Sequence, residues 1–361
     1  MSMKARLCVI FLLLPLLLLT GCASIGPATV SRDRFDYASS ITESWKRQTL
    51  LNIVKIRYIE PLFFVDVGQI VSGYTLETGV SLGASDGKLN SFVASSINAG
   101  VSGKYTDRPT ITYTPLTGPT FVRSVMTPIS PAHLLFAVQS GVPADMIFKL
   151  GVASINGLRN DSATIDGYIR ANKKYLRVVE LMRRLQLAGA VNIKMIRQKD
   201  NQESAFVSFH PATGNTEISL QVKELRELLG LDGTVHSYRL IYGNAPDSNR
   251  EIAMQTFSVM HMLASLSARV DVPLKDVAEK RASPGIREMP EVLDREGGFL
   301  VKSSDTAPQD AYVSVKYRDA WFWIDDKDQI SKRAISVIVL ILSLADTGSD
   351  KPLPLVTIPA Q

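Results

Sequence analysis

Chemistry in a sequence begins with its nucleophiles, bases and metal ligands, and here they are few. Four histidines, His133, His210, His236 and His261, and two cysteines, Cys8 and Cys22, are spread over 361 residues. The histidines share no metal-ligand spacing and have no cysteine to join them, so they read as structural or exposed side chains. Ser85-Asp86-Gly87-Lys88 fits the S-x-x-K string of serine acyltransferases, but its surroundings predict a hairpin tip, not a buried helix start, and the companion strings are missing. Gly83 and Gly87-Lys88 miss the six-residue spacing of a phosphate-binding loop, and no G-x-S-x-G occurs. The sequence therefore predicts no catalytic residue, no cofactor, no metal and no small-molecule substrate.

The side chain with the plainest expected chemistry is Cys22. Lys4 and Arg6 precede an apolar block, Leu7 to Leu19, which is too short for a spanning helix of about 20 residues and reads as a secretion signal. Leu19-Thr20-Gly21-Cys22 closes that block and resembles the bacterial lipobox, whose cysteine becomes the acylated first residue of the mature protein. The resemblance implies a bacterial lipoprotein with acyl chains such as palmitate on Cys22. Each buried CH₂ contributes about 0.8 kcal/mol, so several chains hold firmly where one binds reversibly. Ala23 and Ser24 follow in place of the aspartate that retains such lipoproteins at the inner membrane. Outer-membrane residence, facing the periplasm, is the implied location. Asn160-Asp161-Ser162 has the form of a glycosylation acceptor and in such a protein reads as chance.

Processing would remove Cys8 and acylate Cys22, leaving no thiol for a disulfide, so stability has to come from packing. Loss of Lys4 and Arg6 lowers the net charge from +5 to +3, too small to imply nucleic-acid binding. Lys173, Lys174, Arg177, Arg183 and Arg184 load one helix with positive charge; a solvated face is the expectation, contact with anionic headgroups the alternative.

The elements that must position any site predict an α+β fold, with mixed sheets, packed helices and an extended amphipathic β-hairpin at about 70–105. The chain divides into a signal peptide (1–21), a linker (22–39), a helix with the long hairpin (40–115) and a helical hairpin section (116–160). An α+β domain (161–272), a loop (273–298) and a C-terminal hairpin, buried helix and final strand (299–361) follow. Ser40-Ile41-Thr42-Glu43 reads as a capping box for a helix reaching about Tyr58, and Ser248-Asn249-Arg250-Glu251 as a second box opening a helix through Met254. Ser130-Pro131 starts a helix; Pro143 to about Ile155 is the next, with Asn156-Gly157 closing the pair. Ala334 to Leu344, apolar on nearly every side, predicts a core helix in which Leu340 is buried.

The hairpin carries the sharpest pattern. Tyr74, Leu76, Val80 and Leu82 alternate on even positions, and Val93, Ile97, Val101 and Tyr105 on odd ones. Gly73 marks a phase switch and suggests a bulge, and Asp86-Gly87 is a tight-turn signal. A two-residue loop there would pair Val80 with Val93 and Leu76 with Ile97, placing every apolar residue on one face. That face either lies on the protein's own core or a partner, or enters a bilayer as one protomer's share of an oligomeric barrel. The latter arrangement resembles lipoproteins of the curli-export type, whose folded periplasmic domains donate hairpins to a shared pore. Leu50-Leu51-Asn52-Ile53-Val54-Lys55-Ile56-Arg57-Tyr58 and Pro109-Thr110-Ile111-Thr112-Tyr113 resemble runs in uncharacterised bacterial envelope lipoproteins, which implies no activity. The expected role is structural or assembly work in the cell envelope. Expected partners are the membrane through Cys22 and envelope proteins or further copies of the chain, with nucleic acid excluded. A shared pore, or an envelope hydrolase or transferase with a dispersed site, is the alternative.

Overall fold

The computed structural model describes residues 25–89, 92–164, 167–197, 203–210, 216–286 and 298–345. The expected signal peptide, Cys22 and the expected final strand lie outside them. The fold is α+β, and contacts divide it into two compact units. One is Met1–Thr42 with Val65–Pro115; the other is Glu43–Phe64 with Leu116–Gln361.

Helix α1, Ile25–Arg57, begins well before the expected capping box and runs through it. Ser40 donates its hydroxyl to the Asp36 carbonyl, four residues back, at 2.8 Å, a bond that interior helical serines make. Glu43 does not reach back; it pairs forward with Lys46 at 2.6 Å and Arg47 at 2.9 Å. The stretch expected to be a linker is therefore helical from Ile25 onward.

In the first unit, β1 (Phe64–Val71) pairs with β4 (Thr110–Leu116), and β2 (Tyr74–Leu89) pairs with β3 (Phe92–Asp107) as a separate two-stranded sheet. Ser72-Gly73 is thus a break between two sheets, not a bulge. The Arg108 amide donates to the Gly73 carbonyl at 2.9 Å and closes the base of the long hairpin.

In the second unit a six-stranded sheet has the order β6-β5-β12-β11-β10-β9. Its strands are β5 (Val152–Ile155), β6 (Leu158–Arg159), β9 (Val191–Arg197), β10 (Glu203–Phe209), β11 (Ser237–Tyr242) and β12 (Glu251–Thr256). All neighbours are antiparallel except β11 and β12. Six helices supply most of its helical core: α2 (Gly118–Met126), α3 (Pro131–Gln139), α4 (Ala144–Gly151), α5 (Lys173–Leu187), α6 (Thr216–Leu229) and α7 (Val259–Ser267). Two expected helices are corrected here. Ser248-Asn249-Arg250-Glu251 opens strand β12, because Ile252, Ala253 and Met254 are buried in ladders with β11 and β5; the following helix starts at Ser258, whose hydroxyl accepts from the His261 amide. The helix from Pro143 stops at Gly151, and Val152 to Ile155 become β5. Asn156 and Gly157, both at positive φ, then close the β5–β6 hairpin, not a helical pair.

Asn160 explains why that hairpin sits where it does. Its side-chain amide donates to the carbonyls of Phe148 at 3.2 Å, Lys149 at 3.0 Å and Val152 at 2.8 Å, satisfying the C-terminal carbonyls of α4. It is 2% exposed, so the acceptor-like sequence around it is a structural clamp.

The C-terminal section holds the short helix α8 (Leu274–Ala278), a sheet of β13 (Lys302–Ser304), β15 (Ala320–Asp325) and β14 (Ala311–Tyr317) in that order, and helix α9 (Gln329–Ala345). The expected C-terminal hairpin is β14–β15, turning at Arg318-Asp319 between Tyr317 and Ala320. Between β6 and α5, β7 (Ser162–Thr164) and β8 (Gly167–Ile169) form a small hairpin.

Residues 57–60 tie these parts together. The Arg57 guanidinium, 2% exposed, donates to the Val270 carbonyl at 3.4 Å and to the Ser283 carbonyl. Tyr58 donates to Asp276 at 2.6 Å and packs edge-on against Tyr317 and Phe322. Glu60 accepts from Tyr317 and, at 3.2 Å, from Arg318.

Helix α9 buries Ala334, Ile335, Val337, Ile338, Ile341 and Leu342, but Leu340 is 43% exposed. Its position at the solvent side of the helix corrects the expectation that it is core. Ile338→Asp is expected to unfold the second unit, since an unpaired buried carboxylate costs several kcal/mol, whereas Leu340→Asp leaves the melting curve nearly unchanged. Thermal denaturation followed by circular dichroism compares the two.

Candidate functional site

The hairpin β2–β3 pairs Tyr74 with Asp107 at its base and Leu89 with Phe92 at its far end. Asp86 and Gly87 lie inside β2, opposite Ser95 and Ala94. The local turn signal loses to the ladder: closing at the base through Gly73 and Arg108 pairs sixteen residues on each strand. Val80 consequently faces Val101, not Val93, and Leu76 faces Tyr105, not Ile97. The slip is eight positions, an even number, so every residue keeps its expected side.

One face is apolar and uncovered. Val80 is 74% and Val101 85% exposed, with Leu76 and Tyr105 about half exposed. Further along the ladder Leu82 lies opposite Ala99, Ala84 opposite Ile97, Asp86 opposite Ser95 and Lys88 opposite Val93. At the base Tyr74 stacks on Tyr105, ring centroids 6.2 Å apart, and donates its hydroxyl to Asp33. That hydroxyl, helped by the Arg32 guanidinium, holds the Asp33 carboxyl below the usual carboxylate range.

The other face is small and polar. Gly79 lies opposite Ser102 and Ser81 opposite Gly100, and each serine hydroxyl donates to the facing glycine carbonyl, at 3.3 and 3.4 Å. A Cβ on Gly79 would come within 2.7 Å of the Ser102 hydroxyl, and one on Gly100 within 2.8 Å of Ser81. Glycine in a strand interior weakens it in water, and marks places where a sheet bends or another surface approaches. Glu77 and Lys104, both exposed, pair across this face at 3.8 Å. Neither outer edge of the hairpin has a neighbouring strand among the described residues.

In the second unit the positive charge of α5 is largely neutralised. Arg177 binds both carboxylate oxygens of Glu224, at 2.7 and 2.8 Å, Arg184 binds Glu180 at 2.6 Å, and Arg183 lies 3.6 Å from Asp145.

Ser162 and His261, ninety-nine residues apart, meet at 3.0 Å between the hydroxyl and Nε2. The imidazole stacks on Phe257 at 4.0 Å, and burial pushes its pKa down, so it is neutral at neutral pH. A hydroxyl on a neutral imidazole is the first half of a nucleophile–base pair. The third member is missing among the described residues: Asp161 is turned instead to Arg269 at 3.0 Å and Tyr168 at 3.3 Å. What the contact does is dock the β7–β8 hairpin on α7. Sequence alone gave no sign of it, because nothing local relates position 162 to 261.

His210 and His236 are exposed and stack at 6.4 Å, and His133 is exposed. No group of three metal-ligating side chains occurs among the described residues, and none of the described helices is long and apolar enough to cross a membrane. The chain matches no family model, no curated protein and no solved structure.

Because the folded state depresses the His261 pKa below the ordinary 6.5, the unfolded chain takes up more protons as pH falls through that value. Stability is therefore expected to be full above pH 6.5 and to decline below it, with a His261→Gln variant showing a flatter profile. Urea midpoints measured between pH 7.5 and 5 read the difference.

Proposed function

We propose that the protein is a lipid-anchored lipoprotein of the bacterial outer membrane whose β2–β3 hairpin is one protomer's contribution to an oligomeric transmembrane β-barrel. The observation that carries this reading is the exposed apolar face at Leu76, Val80, Val101 and Tyr105, whose opposite face over 75–81 and 100–106 is Gly, Ser, Thr and the pair of Glu77 with Lys104. The lipobox-like Leu19-Thr20-Gly21-Cys22 supplies the anchor.

Dimensions support it. Leu76 to Ala84 and Ile97 to Tyr105 form the apolar band, nine residues on each strand. At about 3.3 Å per residue and a tilt near 40° they span roughly 23 Å, close to the band of about 25 Å on outer-membrane barrels. Tyr74 and Tyr105 sit at one end of the band, where barrels carry aromatic girdles. Beyond the other end the strands turn polar at Ser85, Asp86, Ser95 and Ser96. In lipid every backbone group needs a partner, so the two open edges demand neighbouring hairpins, and a closed barrel requires roughly four or more copies. The glycines of the inner face fit the curvature that closure imposes. The second unit remains in water and carries no part of the barrel.

Replacing Thr75 to Lys104 by a short Gly-Ser turn is expected to leave the melting transition of the second unit in place while abolishing ring formation in detergent and conductance in planar bilayers. Val80→Arg, costing about 2–4 kcal/mol per protomer at the bilayer midplane, should also suppress conductance. Cys22→Ala is expected to leave the membrane fraction or stay unprocessed. A wild-type protein that stays monomeric and silent, or a hairpin-deleted one that conducts equally, would refute the pore.

A further inference from the structure

Two adjoining cavities run along the surface between α4 and α9 in the second unit. One has a volume of about 390 Å³ and the other about 420 Å³, and both are lined by Met146 and Arg333. Each is within the size range of small-molecule sites. The larger part of the first wall is apolar, with Leu150, Leu176, Leu266, Phe299 and Ile330. Leu176 and Ile330 are 36% and 41% exposed, so apolar surface of the wall is open to a ligand.

The charges along the first cavity are unequal. Its two acids are already engaged, Asp161 by Arg269 at 3.0 Å and Asp145 by Arg183 at 3.6 Å. Gly298 keeps room for this arrangement, since a Cβ there would lie 3.0 Å from the Arg269 guanidinium. Lys149 has no ion-pair partner among the described residues, and Arg333 makes only a 3.4 Å hydrogen bond to the neutral Gln329 side chain. An elongated apolar groove with two uncommitted cations is complementary to one kind of molecule. We infer that it binds a single acyl chain carrying an anionic head group, with the chain along Met146, Leu150, Leu176 and Ile330 and the head at Lys149 and Arg333. The alternatives fit less well: a neutral apolar ligand leaves the two cations unused, and a compact polar anion leaves the apolar walls uncovered. This assignment is independent of the hairpin and of the anchor.

The test is photo-crosslinking of the full-length protein in non-ionic detergent with a diazirine-bearing palmitic acid, and in parallel with the corresponding alcohol. Peptides from 144–151 and 329–337 are expected to be labelled by the acid at least about fivefold more than by the alcohol, the ratio that about 1 kcal/mol of charge pairing gives. Unlabelled palmitate or lysophosphatidic acid should compete, the stronger of the two identifying the head as carboxylate or phosphate. Lys149→Glu combined with Arg333→Glu is expected to remove the preference while the melting curve stays in place. Equal labelling by acid and alcohol, or labelling outside these two peptides and the Leu176 wall in 173–187, would overturn the assignment without reference to any variant. Retained preference in a folded double variant would overturn it as well.

Discussion

A guanidinium removed from water must find acceptors, and the second unit is organised around one that does. Arg57, the last residue of α1, reaches main-chain carbonyls at Val270 and Ser283, and the Ser283 amide returns a bond to the Arg57 carbonyl at 2.9 Å. Gly285 is fixed by the same contact, because a Cβ there would fall 2.4 Å from the guanidinium. These carbonyl acceptors are held by backbone that cannot swing away, so the arginine specifies the path of 268–286. Its neighbours extend the tie. The chain reverses at Ile59, which adopts φ 61, and the Glu60 amide bonds the Lys55 carbonyl at 2.9 Å in the manner of a helix C-cap usually built on glycine. A β-branched residue in that conformation is strained by about 1–3 kcal/mol. The strain persists because Tyr58 and Glu60 on either side are held by Asp276, Tyr317 and Arg318.

The first unit obeys the opposite constraint. A two-stranded hairpin is marginal in water even with one face covered, and here Leu76, Val80, Val101 and Tyr105 stand exposed on one face. Nothing among the described residues of that unit covers Val80 or Val101. The open edges and the exposed apolar face are together the two features on which the proposed ring of copies rests.

Periodicity made some of this legible. Alternation over Tyr74 to Tyr105 located the long hairpin and its faces, and the apolar run of α9 located a core helix, because both patterns reflect burial or one-sided exposure directly. Face assignment survived an eight-residue error in register since side-chain direction depends only on parity. Local motifs did worse. Asp86-Gly87, Ser40 to Glu43 and Ser248 to Glu251 each have a turn or cap signature, and each is overridden by longer-range bonding: a full ladder, a continuing helix, and two flanking strands. The clamp at Asn160 and the contact between Ser162 and His261 are illegible for a simpler reason. They are made by tertiary neighbours, and no short spacing records them.

The two units therefore rest on different kinds of hydrogen bond. In the second, buried hydrogen bonds from Asn160, Tyr175 and Arg57 to main-chain carbonyls fix a unique packing. In the first, the bonds that matter across the polar face are between serine hydroxyls and glycine carbonyls at 3.3–3.4 Å, weak and solvent-exposed. In the proposed barrel such a strand would leave water for lipid, and a ladder without buried polar bonds is the kind that can re-pair at its edges. Glycine at positions 79, 83, 100 and 103 lowers the intrinsic stability of these strands, a cost that neighbouring strands would offset in the proposed barrel by completing the ladder.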